Sequence, residues 1–412
     1  MRQSNLFTKV MKESPREEVS VNAQLLIRAG FIDKLMAGTY SYLPLGFLVL
    51  RKIEEIIRQE MNKVGGQEIF MPALHPKASW QQTKRWDYPE MLKLKNREGK
   101  EFGLGWTHEE IITPLVRKFV SSYKDLPVFI YQIQDKFRDE LRAKSGLLRG
   151  VEFRMKDLYS FHRDEKDLDR YHEKVKAAYF KIFSRAGLKK ETYLTLASGG
   201  TFCKYSYEFQ TETPAGEDTI YLCPKCKLAV NKEIIEKEKF TCPECDNKKL
   251  EIKKTIEVGN IFKLKNRFSG PLNLVFKDEE GKEKDVFMGC YGIGVGRLMG
   301  TIAEVHHDDK GLIWPKEVSP FQVHLISLTG AEKEGEKLYN DLLEQNIEVL
   351  YDDREGKSAG EKFAEADLIG ISLRIVVSQR TLQKNCLELK KRGEQKIELI
   401  KIKEIKKCLD LD

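Results

Sequence analysis

Two groups of residues in this 412-residue chain have the types and spacing to do chemistry. The first is Cys223, Cys226, Cys242 and Cys245, which form C-x2-C-x15-C-x2-C. Each pair sits in a short turn (CPKC, CPEC) that aims two sulfurs at one point, and four thiolates suit tetrahedral zinc. With all four positions filled by protein, no place remains for water, so the expected zinc is structural. The second group is Arg138 and Glu140 in KFRDE, Arg149 and Phe153 in RGVEF, and Gly292, Gly294 and Arg297 in GIGVGR. A guanidinium is permanently charged and its planar fork bridges two phosphate oxygens. The Phe153 ring can stack on a purine, and alternating glycines clear a face for a ligand. Taken singly, Arg-x-Glu is as readily an exposed ion pair, and the glycines a tight hairpin. Together they point to a nucleotide.

Three other patterns carry no such chemistry. Gly292–Gly296 is not the dinucleotide fingerprint, because position 297 is Arg rather than Gly. Gly356-Lys357-Ser358 lacks the glycine of a phosphate loop five places earlier, where Tyr351 stands. The run His306-His307-Asp308-Asp309 places its ligands side by side, where they do not readily converge on one ion.

Elements must position these residues. Leu50, Ile53, Ile57, Met61 and Val64 recur at steps of three and four, which predicts an amphipathic helix over 47–64. Gly65-Gly66 ends it, and QEIFMPAL then reads as a strand interrupted at Pro72, which belongs at an edge or bend. Residues 220–255 lose large apolar side chains and read as a small inserted module. Two prolines in LIWPKEVSP mark a linker, beyond which apolar strands alternate with Glu/Lys-rich helices, as in an α/β domain with a mostly parallel sheet. A net charge of +7 suits an anionic partner without proving one. No apolar run is long enough for a signal peptide or a bilayer span, and reduced, metal-grouped cysteines fit a cytoplasmic location.

Pro72 after a long helix, FRDE followed by RxxxF, and GxGxGR resemble motifs 1, 2 and 3 of class II aminoacyl-tRNA synthetases. AGTYSYLPLG, THEE, QIQDKFRDE, RGVEFRMKDLYSF, MGCYGIGVGR and GLIWPKEVSPFQV resemble the bacterial-type prolyl-tRNA synthetase family, and DDREGKSAGEKFAEADLIGI resembles its anticodon-binding domain. The resemblance implies an α+β catalytic domain with a six- or seven-stranded antiparallel sheet and helices, a C-terminal α/β anticodon-binding domain, and a zinc-ribbon insertion. The expected boundaries are 1–219 and 256–315 for the two catalytic parts, 220–255 for the ribbon and 316–412 for the last domain. It implies a homodimer built through motif 1, a tRNA(Pro) partner, L-proline and ATP as substrates, and Mg²⁺ beside the structural zinc.

By the same resemblance Arg138, Glu140 and Arg297 are the catalytic set. Arg138 reads the ATP α-phosphate and the proline carboxylate, Glu140 lies on the adenosine side, and Arg149 holds the γ-phosphate. Phe153 and Arg297 sandwich adenine, with Gly292 and Gly294 against the nucleotide. Thr107 and Glu109 take the proline ammonium, and Phe161, His162 and Cys290 line the proline pocket. Ser206 and Glu208 fall in SYEF, where the family often has SHEF. Asp352, Arg354 and Lys362 are candidate anticodon contacts, each equally readable as an ordinary surface charge. The chain departs from the family at Trp106 (usually Pro), Asn260 (commonly His) and Gly296 (frequently Ser). Only the cysteine module occupies the place of the large editing insertion, so editing of Ala-tRNA(Pro) in cis is not expected. A non-catalytic paralogue and a zinc-ribbon nucleic-acid binder are the rival readings; the intact arginine set argues against both.

Overall fold

A computed structural model describes residues 1–141, 143, 145–200, 202–238, 241–242 and 244–405. The chain divides into two compact units, Leu35–Tyr40 with Ile53–Thr301, and Met1–Lys34 with Ser41–Lys52 and Ile302–Asp412.

The first unit is built around a sheet. Helix α1 (Pro44–Lys63), which belongs to this unit from Ile53 onward, opens on a proline, whose missing N–H costs nothing at a first turn. It buries Ile53, Ile57 and Met61 and gives way at Gly65, where φ is +91°. Strand β1 (Gln67–Glu68) follows, and before Pro72 only this short stretch pairs, in parallel, with β2. After helices α2 (Lys77–Gln82) and α3 (Glu109–Val116) come strands β2 (Val128–Phe137) and β3 (Glu152–His162), then helix α4 (Glu165–Arg185). Strands β4 (Thr192–Ser198), β5 (Tyr205–Glu212), β6 (Asp218–Leu222), β7 (Ala229–Asn231), β8 (Glu251–Lys265) and β9 (Phe287–Gly294) complete the sheet, and β9 runs into helix α5 (Val295–Val305).

The sheet has nine strands in the order β5-β4-β7-β6-β8-β9-β3-β2-β1, with β5 also paired to β8. Six or seven were expected. The difference arises because β6 and β7, which flank the first cysteine pair, hydrogen-bond to β8 and β4 and so extend the sheet. Pairing is antiparallel except β1–β2 and β4–β7. Gln132, Asp157, Gly292 and Asn260 stand opposite one another across β2, β3, β9 and β8, so this row shares one face. Helix α4 packs on the other face, where Tyr179 and Phe183 lie against Gly259. Ile112, Val116, Phe161, Phe268 and Met288 form an apolar core beside the row.

The second unit carries strands β10 (Val323–Ser327), β11 (Val349–Asp352), β12 (Leu373–Val377), β13 (Cys386–Lys391) and β14 (Glu398–Lys401), with helices α6 (Glu332–Glu344) and α7 (Ala359–Ile369). Their order is β11-β10-β12-β13-β14, parallel among the first three and antiparallel beyond. Residues 1–34 fall in this unit rather than in the catalytic part assigned from sequence. The cause is main-chain pairing: the Tyr351 N–H donates to Met1 O at 2.9 Å, and the Met1 ammonium donates to Val349 O at 2.7 Å. Among the described residues no helix is long and apolar enough to cross a membrane.

Candidate active site

A cleft of about 240 Å³ opens over the β8-β9-β3-β2 row. Of the residues singled out from sequence it gathers Thr107, Glu109, Arg138, Cys290, Gly292, Gly294 and Arg297. Arg138 leaves the end of β2, fixed by its N–H on Val151 O at 2.8 Å, and its guanidinium lies 5.1 Å from the centre of the Phe153 ring. Its Nε is buried with no hydrogen-bond partner. Burial first, and the second guanidinium at Arg297 next, lower its pKa to about 10. Two cations held this way are a receptor for an anion, because an arriving phosphate relieves both penalties. Arg297 is aimed by its own bonds, Nε to Leu148 O at 2.8 Å and Nη1 to Glu257 O at 2.9 Å. At Gly292 a Cβ would meet only Met155 Sδ, at 3.8 Å, so its absence leaves room in the cleft.

At the other end stand Thr107, with a buried and unpartnered hydroxyl, and Glu109, the first residue of α3. The Cys290 thiol donates to Glu109 Oε1 at 3.4 Å, and burial holds its pKa well above the ordinary thiol value, keeping it a neutral donor. Lys136 and Asp157, to which the sequence assigns no role, lie between the ends. Lys136 Nζ is 2.7 Å from Asp157 Oδ1, and Gln132 donates to Asp157 Oδ2 at 3.0 Å. Burial alone would push the Asp157 carboxyl up; Lys136, with His108 and Gln132, outweighs it and holds the group below its usual range. The signal for Lys136 was its parity, two residues before Arg138 on the same strand.

Other candidates lie elsewhere. Glu140 pairs with Arg149 at 2.8 Å, and Arg149 also reaches Glu217 at 2.7 Å. Arg149 lines a small adjoining hollow of about 110 Å³ together with Glu217, Asp218, Glu257 and Arg297. Phe153 is covered by Arg138, and Phe161 is enclosed in the apolar core rather than at the cleft surface. His162 is a correction. It alternates to the opposite face of β3 from Asp157 and Tyr159, where its Nδ1 meets Asp167 at 2.7 Å and its ring lies beside Tyr171. Ser206 donates to Ser198 O, and Glu208 is half-buried; desolvation first and the neighbouring Glu257 next hold its carboxyl well above the usual range. Asn260 donates toward both, at 3.4 Å to Glu208 and 3.2 Å to Glu257.

The anticodon candidates are a second correction. Asp352 and Lys362 are buried, and Arg354 binds Asp352 through two nitrogens (2.8 and 2.7 Å) and Glu365 through a third (2.6 Å). Lys362 Nζ donates to Ser327 O at 2.9 Å. These groups make contacts that hold their own unit together. A larger hollow of about 550 Å³ in that unit, beside Gln3 and Thr8, is lined by the same Arg354 and Glu365, already paired to each other.

The four cysteines of the ribbon converge. Their sulfurs lie within 4.8 Å of one another, with Cys223–Cys245, Cys226–Cys242 and Cys226–Cys245 separations of 3.6, 3.3 and 3.9 Å. Tetrahedral zinc with Zn–S bonds of about 2.3 Å sets its sulfurs roughly 3.8 Å apart, so the donor set fits that ion. Asn247 Nδ2 lies 3.6 Å from Cys223 Sγ, a second-layer donor.

The fold and cleft define a class II aminoacyl-tRNA synthetase: residues 92–306 match the class II core domain shared by the G, H, P, S and T enzymes, and residues 322–410 match an anticodon binding domain. Within that class, the chain belongs to the proline--tRNA ligase family. It is 41% identical to the proline--tRNA ligase of Wolbachia pipientis wMel over 98% of both chains. It is 34% identical to that of Citrifermentans bemidjiense, covering 98% of this chain and 97% of the relative. That alignment runs over 560 residues, so the longer relative carries segments with no counterpart here. Among solved structures, Giardia lamblia prolyl-tRNA synthetase in complex with prolyl-adenylate matches with TM-score 0.79 at 20% identity, over 95% of this chain and 78% of the other. The Cryptosporidium parvum enzyme complexed with L-proline and AMP matches with TM-score 0.77 at 19% identity, over 94% and 74%. At these identities the structures speak to the fold.

Proposed function

We infer that this chain is a proline--tRNA ligase that activates L-proline with ATP to prolyl-adenylate and transfers the prolyl group to the 3′ end of tRNA(Pro). The observation that carries the reading is the polarity of one cleft: two guanidinia at one end, Arg138 without a carboxylate partner among the described residues, and Thr107 with Glu109 at the other. Glu109 receives the secondary ammonium of proline and the Thr107 hydroxyl directs it. Arg138 then neutralises the proline carboxylate and the α-phosphate as the carboxylate oxygen attacks phosphorus and pyrophosphate departs. Phe153 and Arg297 hold adenine between them once Arg138 turns from the ring to the phosphate, and Arg149 meets the terminal phosphate. No side-chain nucleophile is needed; positioning and charge stabilisation supply the acceleration.

Mg²⁺ accompanies ATP, and the carboxylates of Glu217 and Glu257 beside Arg297 are oxygen donors of the kind it takes. When bound it neutralises phosphate charge. The ribbon holds a structural zinc, and the C-terminal domain contacts the tRNA anticodon. A homodimer belongs to the same reading: Phe70 and Leu74, on either side of Pro72, are 74% and 48% exposed, apolar surface that a two-fold partner would cover. The enzyme acts in the cytoplasm and does not clear Ala-tRNA(Pro) in cis. Incubating the purified protein with labelled proline, ATP and tRNA(Pro) tests the reading. Label on the tRNA is expected, and its absence would refute it.

A further inference from the structure

Beside the amino-acid end of the cleft lies a cation that no motif signalled. Arg85 is 1% exposed, and the rings of Trp80, Tyr88, Trp106, Phe202 and Phe268 stand 4.6 to 5.9 Å from its guanidinium carbon. Its Nη1 donates to Glu109 Oε2 at 3.2 Å and to both oxygens of Glu110, at 3.0 and 3.2 Å. The Thr83 hydroxyl donates to Glu110 at 2.7 Å, which pins the second carboxylate. We propose that Arg85 is a positioning residue of the amino-acid site, which bridges Glu109 and Glu110 through its Nη1 amino group and thereby fixes the carboxylate that meets the substrate ammonium, while Trp106 closes the aromatic box around it.

Electrostatics support the assignment. Two neighbouring buried carboxyl groups repel when both are ionised, and the guanidinium between them opposes that repulsion and keeps Glu109 in place for the substrate ammonium. Ring faces stabilise a desolvated guanidinium without competing for its hydrogen bonds. Trp106 both lines the cleft and gives the nearest of the five rings, at 4.6 Å, which accounts for an aromatic residue where the family usually has proline.

The inference rests on Glu109 receiving the amino group, and its test is arranged to fail separately from that reading. Proline-dependent ATP–pyrophosphate exchange is measured on the full chain for Arg85→Met, Arg85→Lys and Trp106→Ala. Truncating one partner of a buried charge pair is costly, so Arg85→Met should raise the KM for proline by about 10²-fold. The KM for ATP should stay within about twofold, because the nucleotide end is untouched. Arg85→Lys should recover part of the proline KM, and Trp106→Ala should raise it by roughly tenfold with the same selectivity. Equal rises in both KM values, or an unchanged proline KM in Arg85→Met, would overturn the proposal. If Arg85→Met does not fold, the split in Trp106→Ala decides. A wild-type chain without proline-dependent exchange would instead refute the proposed function.

Discussion

Arg138 and Arg354 sit in similar local sequences, KFRDE and YDDRE, each with acidic neighbours within two positions, and do opposite things. Arg354 engages all three of its nitrogens with Asp352 and Glu365, so its charge is neutralised within its own unit. Arg138 finds no carboxylate within ion-pair distance among the described residues, leaves Nε buried and unpartnered, and faces a cavity beside a second guanidinium. A saturated cation stabilises its own fold; an unsatisfied one is a site waiting for an anion.

Breaking the first half of that contrast should produce the largest effect. Arg138→Ala should lower kcat/KM for proline-dependent exchange by about 10³-fold or more while the protein remains folded, the scale expected when a guanidinium stabilising phosphoryl charge is lost. A loss below tenfold would mean that another group reads the phosphate. Breaking the second half should cost stability instead. Arg354→Ala strands Asp352 as a buried charge, and chemical denaturation should show a loss of about 3 kcal/mol with exchange per folded molecule unchanged. A large loss of exchange in that variant would erase the distinction between the two arginines.

The ribbon sharpens the same contrast with thiolates. Metal analysis of the purified protein should give one zinc per chain, and Cys245→Ser should abolish it and lower Tm by about 4 °C or more. Bound zinc persisting in that variant would remove the assignment. The smallest effect concerns Glu110, whose carboxyl is pushed up to about 7, by burial first, with Arg85 opposing. The folded state then holds a proton that the unfolded chain, at about 4.5, has released. Its stabilisation is complete below pH 4.5 and is lost as pH rises through 7, by at most ~3 kcal/mol. Glu110→Gln should flatten that part of the stability–pH curve, and an unchanged slope would reject a raised Glu110.

Much of the cleft was legible because its residues lie on or beside adjoining strands with local signatures: Arg138 directly follows one strand, and Gly292 and Gly294 alternate along another. The four cysteines were legible because their spacing is itself the geometry. His162 was misread although strand parity from Asp157 already turned it away. Asp352 and Lys362 were misread because burial there is decided by packing against β10 and α7, which no local pattern reports. Pairing of Met1 with Val349 spans nearly the whole chain, so the N-terminal segment gave no sign of its unit. Arg85 was invisible for the same reason: three of its five rings, Trp106, Phe202 and Phe268, come from separate stretches of sequence.

The central claim is that this one cleft, with the guanidinia of Arg138 and Arg297 at one end and Thr107/Glu109 at the other, activates proline. Proline-dependent ATP–pyrophosphate exchange by the unaltered protein tests it most directly, since it needs neither tRNA nor the C-terminal unit's contacts. With alanine and cysteine run in parallel, proline should be preferred to alanine by at least about 10²-fold in kcat/KM, the discrimination that missing methylenes permit. No exchange above background with proline, or faster exchange with either competitor, would contradict it.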